Sequence, residues 1–344
     1  MKRLIEIVHG AGAQETWEIL TKIVFSKVPQ DLKKTKGGYG IDIFDDGAVI
    51  ALHEGFMVVS IDSYTVNPIF FPGGNIGTLA ASGTINDLVV MGARPIAVLD
   101  AIVVEEGFDI DILDRIVDDM LSVLRRYGIP LIGGDFKVMP RGNIDKIVIT
   151  MVGLGFSYKP IIDIQIEEND RIIVTGPVAE HGATILAAQL GMIDKVKGLR
   201  SDAKPLMDLL PLFEKYRECI HAARDPTRGG IASVLNEWIR GTDKMIVIER
   251  SKVPIRSEVR RFLDTLGIDF LSVASEGVAV LAVSEKCADI VIKELHRSGF
   301  SFSQVIGIVR KATTDFLKGK VIAITEIGGK VIVEPRALNL PRIC

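Results

Sequence analysis

Five aspartates stand where the sequence pattern predicts that an apolar strand ends or a helix turns towards a cleft. They are Asp45, Asp62, Asp87, Asp135 and Asp225. Ligands of α/β proteins gather beyond the carboxyl ends of strands, so we expect these carboxylates to converge there. Converging carboxylates repel one another unless a hard cation neutralises them. Because Mg²⁺ prefers oxygen ligands and pairs carboxylates with substrate phosphates, the five aspartates predict a magnesium site.

Glycines accompany the aspartates at two places. Gly10 and Gly12 follow His9, and Gly74 precedes Asn75, which leads into a predicted helix. Unhindered backbone N–H groups, and those at a helix N-terminus, favour phosphate. No GxxxxGK(S/T) motif occurs, nor GxGxxG after a strand, so P-loop and Rossmann chemistry are not predicted. Any one aspartate or glycine is more simply explained by a turn, but together they favour a magnesium–nucleotide site.

A cysteine, Cys344, closes the sequence after Leu340-Pro341-Arg342-Ile343. Residues 335–344 would span about 30 Å if extended. Two prolines and the lack of hydrophobic periodicity predict a non-helical tail. A thiol at its tip suits a carrier that moves a group between sites, whereas a frayed end is common at termini. Position alone leaves both interpretations open.

The composition indicates a globular protein of two domains. The chain has 344 residues, 48% of them hydrophobic and 25% charged. A net charge of −3 without a basic, aromatic cluster argues against a nucleic-acid partner. Glu6 precedes any apolar run, so no signal peptide is predicted, and no stretch has the length of a membrane helix. We therefore predict a cytoplasmic protein without a membrane partner.

The remaining cysteines and histidines carry no predicted chemistry. Cys219 and Cys287 lie in helical patterns, which predicts core thiols and neither a disulfide nor a zinc site. The histidines without metal-ligand spacing are interpreted as structural: His53, His181, His221 and His296.

Strand-like runs alternate with amphipathic helices, which predicts an α/β (α+β) fold. Residues 109–127 form an amphipathic helix that Asp109 caps and Gly128 ends, and residues 75–91 form a helix rich in small residues that packs closely on a neighbour or ligand. Further helices are predicted at 182–190, 206–216, 230–239, 257–266 and 287–297. Strands are predicted at 56–61, 147–154, 171–175, 245–248, 278–283, 321–325 and 330–333, the last two as a hairpin. The polar segment 164–170 is the predicted boundary between two sets of elements.

The motifs, in this order, resemble the HypE family, the carbamoyl dehydratases of nickel–iron hydrogenase maturation. That family lies in the superfamily of aminoimidazole ribonucleotide synthetase, selenophosphate synthetase and thiamine-monophosphate kinase. The matching segments are 9–12, 45–49, 62–66, 70–77, 82–87, 133–138, 224–230, 275–277 and 341–344. The PRxC ending singles out HypE. A selenophosphate synthetase would need a reactive Cys or Sec near its N-terminal glycine loop, and the first cysteine of this sequence is Cys219. Three positions depart from the usual motifs, namely Ala13 for glycine, Gly47 for alanine and Phe136 for threonine.

The resemblance implies a PurM-like architecture and a reaction. An ATP-binding and dimerisation domain would span 1–160, a C-terminal PurM-like α/β domain 161–334, and a mobile tail 335–344. HypF would place a carbamoyl group on Cys344, and ATP with Mg²⁺ would dehydrate this thiocarboxamide to a thiocyanate. The HypC–HypD complex would accept the cyanide. The resemblance also implies a homodimer whose N-terminal sheets pair, and a tail that moves between outward and inward states.

Carried onto this sequence, the resemblance assigns a role to each candidate residue. The five aspartates would hold Mg²⁺ and, through it, the triphosphate. Lys137 would be the cation at the γ-phosphate and Glu276 the base, and His9, Gly10, Gly12, Gly74 and Asn75 would contact the nucleotide or the tail. Without it, Lys137 is a surface lysine, Glu276 a loop glutamate and His9 a solvent-loop residue. Two alternative functions remain, namely a related ATP-using enzyme that acts on a free small molecule and a non-catalytic, nucleotide-binding thiol carrier.

Overall fold

Two large β-sheets organise the chain, one in each half. The structure is a computed structural model and describes residues 4–10, 12 and 14–334. The strands of the first half are β1 (Ala48–Ala51), β2 (Phe56–Tyr64), β3 (Phe70–Phe71), β4 (Gly74–Asn75), β5 (Arg94–Glu105), β6 (Leu131–Met139) and β7 (Ile147–Ser157). Five of them form a sheet in the order β1-β2-β7-β5-β6, in which only β5 and β6 are parallel. Strands β3 and β4 pair separately.

The helices of the first half are α1 (Gln14–Leu20), α2 (Ile76–Val90) and α3 (Ile110–Tyr127). Helix α2 is buried almost throughout because it packs against β2, β7 and α3. Its small residues permit this, since a Cβ at Gly77 would lie 2.3 Å from the Ile116 carbonyl oxygen, and one at Gly83 would lie 2.5 Å from Tyr64 Oη. The close packing predicted for this helix is confirmed.

Helix α3 has the ends that its sequence predicts. Asp109 Oδ1 accepts hydrogen bonds from the N–H groups of Asp111 and Ile112, which are unpaired in a helix N-terminus. Gly128 ends the helix in the left-handed region at φ 66°. This helix needed only local information to be predicted.

The second half contains a seven-stranded sheet. Its strands are β8 (Arg171–Val174), β9 (Ile220–Arg224), β10 (Lys244–Glu249), β11 (Val280–Val283), β12 (Gln304–Lys311), β13 (Lys320–Ile324) and β14 (Lys330–Val333), in the order β14-β13-β10-β12-β8-β11-β9. Its helices are α4 (Glu180–Gln189), α5 (Leu210–Lys215), α6 (Gly230–Ile239), α7 (Ser257–Thr265) and α8 (Glu285–Arg297). Only β10 and β13 are parallel, and β13–β14 form the predicted hairpin.

The two halves share a hydrophobic core. Alternate residues of β8 point to opposite faces, so Ile172 joins a core with α4, α6 and α7, whereas Ile173 joins the core that contains α2 and α3. Short one-turn helices complete the connections, at Ile7–Gly10, Thr21–Phe25, Gln30–Leu32, Asp163–Gln165, Met207–Leu209, Arg217–Cys219, Arg250–Lys252, Phe270–Ser272 and Asp315–Leu317. No helix within the described ranges has the length and apolarity needed to cross a membrane.

Two expectations about strand ends are wrong. Asp62 and Asp135 were predicted to follow strands, but both lie inside one, because β2 continues to Tyr64 and β6 to Met139. Pairing with β7 extends β2, and pairing with β5 extends β6. The period-2 pattern alone also missed β5, β9 and β12, which mix polar with apolar residues, and the short strands β1, β3 and β4.

The prediction that Cys219 and Cys287 are free thiols is also wrong. Their sulfur atoms are bonded, and their Cα atoms lie 6.0 Å apart although 68 positions separate them in the sequence. Helix α8 returns to the segment before β9 and brings the two together, which no local pattern records.

Candidate active site

A cavity of about 420 Å³ lies between the two halves, and carboxylates line it. Its aspartates are Asp45, Asp46, Asp62, Asp87 and Asp225. The first four come from the first half of the chain and the last follows β9 in the second half. The described lining also includes Gly12 of the first glycine loop, but not Gly10, Gly74 or Asn75.

Three strand and helix positions bring the first carboxylates together. Ser60 and Asp62 are two residues apart in β2 and therefore point to the same face of the sheet, where α2 carries Asp87. The Ser60 hydroxyl donates a hydrogen bond to Asp87 Oδ2. Burial raises the pKa of Asp87 well above its ordinary value, and the charges of Asp62 and Asp225 raise it further.

The same crowding affects the neighbouring acids. Burial raises the pKa of Asp225 well above its ordinary range, and the charges of Asp46 and Asp62 add to this, whereas Arg228 and Arg224 oppose it. Burial likewise raises the pKa of Asp46. Such a group of acids cannot all ionise unless positive charge enters the cavity.

Arg224 lines the cavity and pairs with both Asp45 and Asp46. Its guanidinium lies 3.5 Å from Asp45 and 3.2 Å from Asp46, and it also pairs with Asp163 and Glu237. Asp45 further accepts the Asp163 N–H at 3.1 Å. Asp45 is therefore held mainly by protein groups, whereas Asp46 Oδ2 is buried without a hydrogen-bond partner among the described residues. The sequence predicts Asp45, and not Asp46, as the metal ligand of this pair.

Arg228 is a second cation that the sequence reasoning did not single out. Its guanidinium lies 3.3 Å from Asp62 Oδ1 and lines the cavity. Gly12, at φ 75°, packs directly on it, because a Cβ there would lie 2.2 Å from Arg228 Cβ. Both arginines belong to the segment that contains Asp225, so the motif itself was the available signal.

Glu276 is buried and does not line the cavity, but the charges of the cavity residues Asp225, Asp62 and Asp87 act on it. Its side chain belongs to a residue that is 1% exposed, and Oε1 has no hydrogen-bond partner in the described part of the chain. Burial raises its pKa well above the ordinary value, and the charges of Asp225, Asp202 and Asp62 raise it further. A raised pKa makes a carboxylate a stronger proton acceptor, so Glu276 is able to exchange a proton with a bound substrate.

Several predicted site residues lie apart from the cavity within one chain. Asp135 and Lys137 pair with each other at 2.8 Å on β6, with side chains 59% and 65% exposed. Asn75 caps α2 by accepting the N–H groups of Gly77 and Thr78, so the end of that helix is already satisfied. Cys344 and Ala13 lie outside the described residues.

His9 and the two remaining departures are also placed. His9 Nδ1 accepts the Glu6 N–H at 2.9 Å. Gly47 lines the cavity, and a Cβ there would lie 2.9 Å from both Met91 Sδ and the Val59 carbonyl oxygen, so the usual alanine would require these neighbours to move. Phe136 is 51% exposed on β6.

The donor set suits a magnesium ion that phosphates help to hold. No three His, Cys, Asp or Glu side chains of the described residues converge into a ready metal site. Asp46 Oδ2 and Asp225 Oδ2 are nevertheless buried there without hydrogen-bond partners. Mg²⁺ is usually coordinated by one or two carboxylates, substrate phosphates and several waters. A cavity lined by carboxylate oxygens fits this coordination preference.

Comparisons with known proteins agree over the whole chain. Residues 44–156 match the model of the N-terminal domain of AIR synthase related proteins, and residues 167–320 match that of the C-terminal domain. A putative hydrogenase expression/formation protein of Methanocaldococcus jannaschii is 36% identical over 98% of both chains. The carbamoyl dehydratase HypE of Rhizobium leguminosarum bv. viciae is 32% identical, with 99% of this chain and 95% of that protein covered.

Solved structures give the same result. HypE in complex with ATP has a TM-score of 0.80 at 32% identity, covering 99% of this chain and all of that one (100%). A chain of the HypE–HypF complex has a TM-score of 0.81 at 30% identity, covering 92% of this chain and 99% of that one.

Proposed function

This chain belongs to the HypE family of carbamoyl dehydratases, and we propose that its carboxylate cavity is where a carbamoylated cysteine is dehydrated with ATP. The enzyme is an ATP-dependent carbamoyl dehydratase of hydrogenase maturation, and the thiocyanate that it makes supplies cyanide ligands. The observation that carries the assignment of the site is the cluster of buried acids from both halves of the chain. We place the domain boundary near residue 161, between the two segments that match the family models.

The reaction removes one oxygen and two protons from a thiocarboxamide, S–C(=O)–NH₂. Oxide is a very poor leaving group, so the amide oxygen first attacks the γ-phosphorus of ATP, and the bond to the β-phosphate oxygen breaks to release ADP. The C–O bond then breaks, and the oxygen leaves as part of phosphate. The two N–H protons pass to a base and to solvent, and their electron pairs complete the C≡N bond. The step needs neither an oxidant nor a reductant.

Asp46, Asp62, Asp87 and Asp225 are the residues that would hold Mg²⁺. A metal ion held by these residues would supply positive charge against the negative charge that develops on the phosphates during transfer. Buried oxygens of Asp46 and Asp225 that lack partners among the described residues support those two members of the set, with Asp46 in place of Asp45. Arg228 adds a positive charge at the same wall, where it pairs with Asp62.

Glu276 is proposed as the base that takes a proton from the amide nitrogen. Its burial, its raised pKa and its position beside three of the aspartates support this role. Cys344 would deliver the thiocarboxamide, and its approach to the cavity stays a prediction because it lies outside the described residues. His9, Gly10, Gly12, Gly74 and Asn75 stay predicted contacts of nucleotide or tail.

A homodimer would explain the exposed sheet face and the position of β6. Ile61, 65% exposed, lies on the same side of the sheet as Asp135 and Lys137, away from α2, and the edge strand β6 also exposes Ile132 at 59%, Val138 at 57% and Phe136 at 51%. A face of this kind marks an interaction surface. For Asp135 and Lys137 to act on the phosphates, they would come from the second copy that covers this face.

The remaining partners follow from the relatives. A related HypE has been solved in complex with HypF, which supports HypF as the carbamoyl donor of this chain. The HypC–HypD complex as cyanide acceptor and a cytoplasmic location remain predictions.

The test is intact-protein mass spectrometry after incubation with HypF, carbamoyl phosphate and ATP. We expect Cys344 to gain about 43 Da as a carbamoyl group and then to lose about 18 Da as water only with Mg-ATP. Asp87→Asn is expected to stop the second step and leave the first intact. An unmodified Cys344, with HypF shown to be active, would contradict the proposal, and ATP-dependent dehydration of a free amide by Cys344→Ser would indicate the small-molecule alternative.

A further inference from the structure

The backbone around Glu276 is held by the carboxylate of Asp202, which is partly buried. Asp202 Oδ1 accepts the Glu276 N–H and Asp202 Oδ2 accepts the Gly277 N–H, each at 3.1 Å. The two segments are in close contact, because a Cβ at Gly277 would lie 2.0 Å from the Asp202 carbonyl oxygen. One side chain therefore satisfies two consecutive N–H groups that would otherwise lack partners in a buried loop.

A side chain of the other half holds the same residue from the opposite side. Asn86 is fully buried in α2, and its Nδ2 donates to the carbonyl oxygen of Glu276 at 2.9 Å and to that of Lys204 at 3.1 Å. Its Oδ1 accepts the Leu206 N–H at 2.7 Å. All three partners belong to the second half of the chain, so the side chain serves no bond within its own helix.

A buried asparagine in a helix needs such a reason. Asparagine is a poorer helix former than alanine, and a buried amide without partners destabilises the fold. Asn86 is also the residue before Asp87, so its bond to Glu276 sets the separation between a proposed metal ligand and the proposed base. Ser275 completes the fixation, because its N–H donates to the Pro226 carbonyl at 3.0 Å, next to Asp225.

We propose that Asn86 and Asp202 are positioning residues for Glu276, which they clamp between the two halves so that its carboxyl group stays aligned with the aspartates of the cavity. This rests on the proposed role of Glu276 as base. A proton transfer requires heavy atoms at hydrogen-bond distance, and a displacement of about 1 Å costs about 100-fold in rate. Glu276 Oε1 has no hydrogen bond of its own within the described residues, so its position depends on the backbone that carries it.

The test compares Asp202→Ala, Asp202→Asn and Asn86→Ala with the unchanged enzyme loaded with a carbamoyl group. We expect the single-turnover rate constant of dehydration at saturating Mg-ATP to fall about 10- to 100-fold, with Asp202→Asn between wild type and Asp202→Ala because one acceptor oxygen remains. The ATP concentration for half-maximal rate is expected to change less than about twofold, since neither side chain lines the cavity. Amide hydrogen exchange at Glu276 and Gly277 should accelerate in Asp202→Ala.

Thr175→Val is the matched control, because it removes a buried hydrogen bond of 2.8 Å to the Ala279 N–H and no hydrogen bond of Asn86 or Asp202 to the backbone of residues 276 and 277. It should lower the unfolding midpoint and leave the rate constant unchanged. Wild-type rates in both Asn86→Ala and Asp202→Ala, with Glu276→Gln inactive, would overturn the clamp alone. A wild-type rate in Glu276→Gln would overturn the base assignment and the clamp with it.

Discussion

At the scale of single residues, Arg224 is a buried cation that acidic side chains surround. Its side chain is 7% exposed and faces the carboxylates of Asp45, Asp46, Asp163 and Glu237. Desolvating a guanidinium and several carboxylates is costly, and the cost is repaid only while the charges face one another. The pair that begins the cavity wall therefore depends on one side chain from the other half of the chain.

Arg224→Met is expected to lower the free energy of unfolding by about 3–5 kcal/mol, because it leaves buried carboxylates without their counter-charge. Urea unfolding followed by circular dichroism would measure this. The control is Arg94→Met, whose ion pair with Glu214 has side chains 62% and 58% exposed and should contribute about 0–1 kcal/mol. Equal, small losses in both variants would show that the Arg224 network does not stabilise the fold.

Glu180 links stability to pH at a site outside the cavity. Burial raises its pKa from 4.5 to about 7, and the charges of Asp202 and Glu258 also raise it, although Arg256 pairs with it at 2.6 Å and opposes the shift. The folded state therefore keeps a proton that the unfolded state releases, so this contribution to stability is full below about pH 4.5 and is lost as pH rises towards 7.

Glu180→Gln should remove that dependence. We expect the unfolding midpoint of wild type, relative to Glu180→Gln, to fall as pH rises from about 4.5 to 7 and to level off above it. The change should be modest, because the side chain is partly solvated. Denaturant curves at matched ionic strength would test it, and two parallel profiles would contradict the raised pKa.

At the scale of elements, the disulfide ties the segment before β9 to helix α8. The crosslink joins residues 68 positions apart, and closing such a long loop restricts the unfolded chain strongly. Without it, α8 is held to the sheet by packing, in which Val291 and Leu295 take part, and by the ion pair of Glu285 with Arg171 of β8.

The double variant Cys219→Ser/Cys287→Ser should lose about 4 kcal/mol of unfolding free energy by the chain-entropy relation. Reducing the wild type should lower its unfolding midpoint to that of the double variant, and reductant should leave the midpoint of the double variant unchanged. Thermal unfolding with and without reductant would measure both. An identical midpoint for reduced and oxidised wild type would contradict a stabilising role for the crosslink.

At the scale of the whole molecule, the exposed face of the first sheet is the surface on which we expect a second copy to bind. Ile61→Asp places a charge in that face and Val138→Asp places one on the exposed edge strand β6, where the side chains are 65% and 57% exposed. Burying an unpaired charge in an interface is unfavourable, so both variants should sediment as single chains while the wild type sediments as a pair.

The control for this experiment is Ile290→Asp, an equally apolar position on α8 that is 45% exposed and far along the chain from the sheet. It should leave the sedimentation coefficient unchanged. If the paired form also brings Lys137 to the phosphates, the two sheet variants should lose dehydration as well. A wild type that sediments as a single chain would refute the dimer.

Much of the architecture was accessible from the sequence because it depends on local information. The cap and stop of α3, the small residues of α2 and the β13–β14 hairpin are each encoded within a few neighbouring positions. The order of the motifs by itself also indicates the HypE family, and the full-length identity to HypE proteins agrees.

The sequence by itself determined which segments would carry acids, glycines and a thiol, since composition and periodicity are properties of short stretches. Only the tertiary structure decided that Asp46 and not Asp45 has an oxygen without a protein partner, that Cys219 meets Cys287, and that Asp135 lies on an exposed strand. These outcomes depend on which distant segments pack together, and a pattern with a range of a few residues contains no record of that.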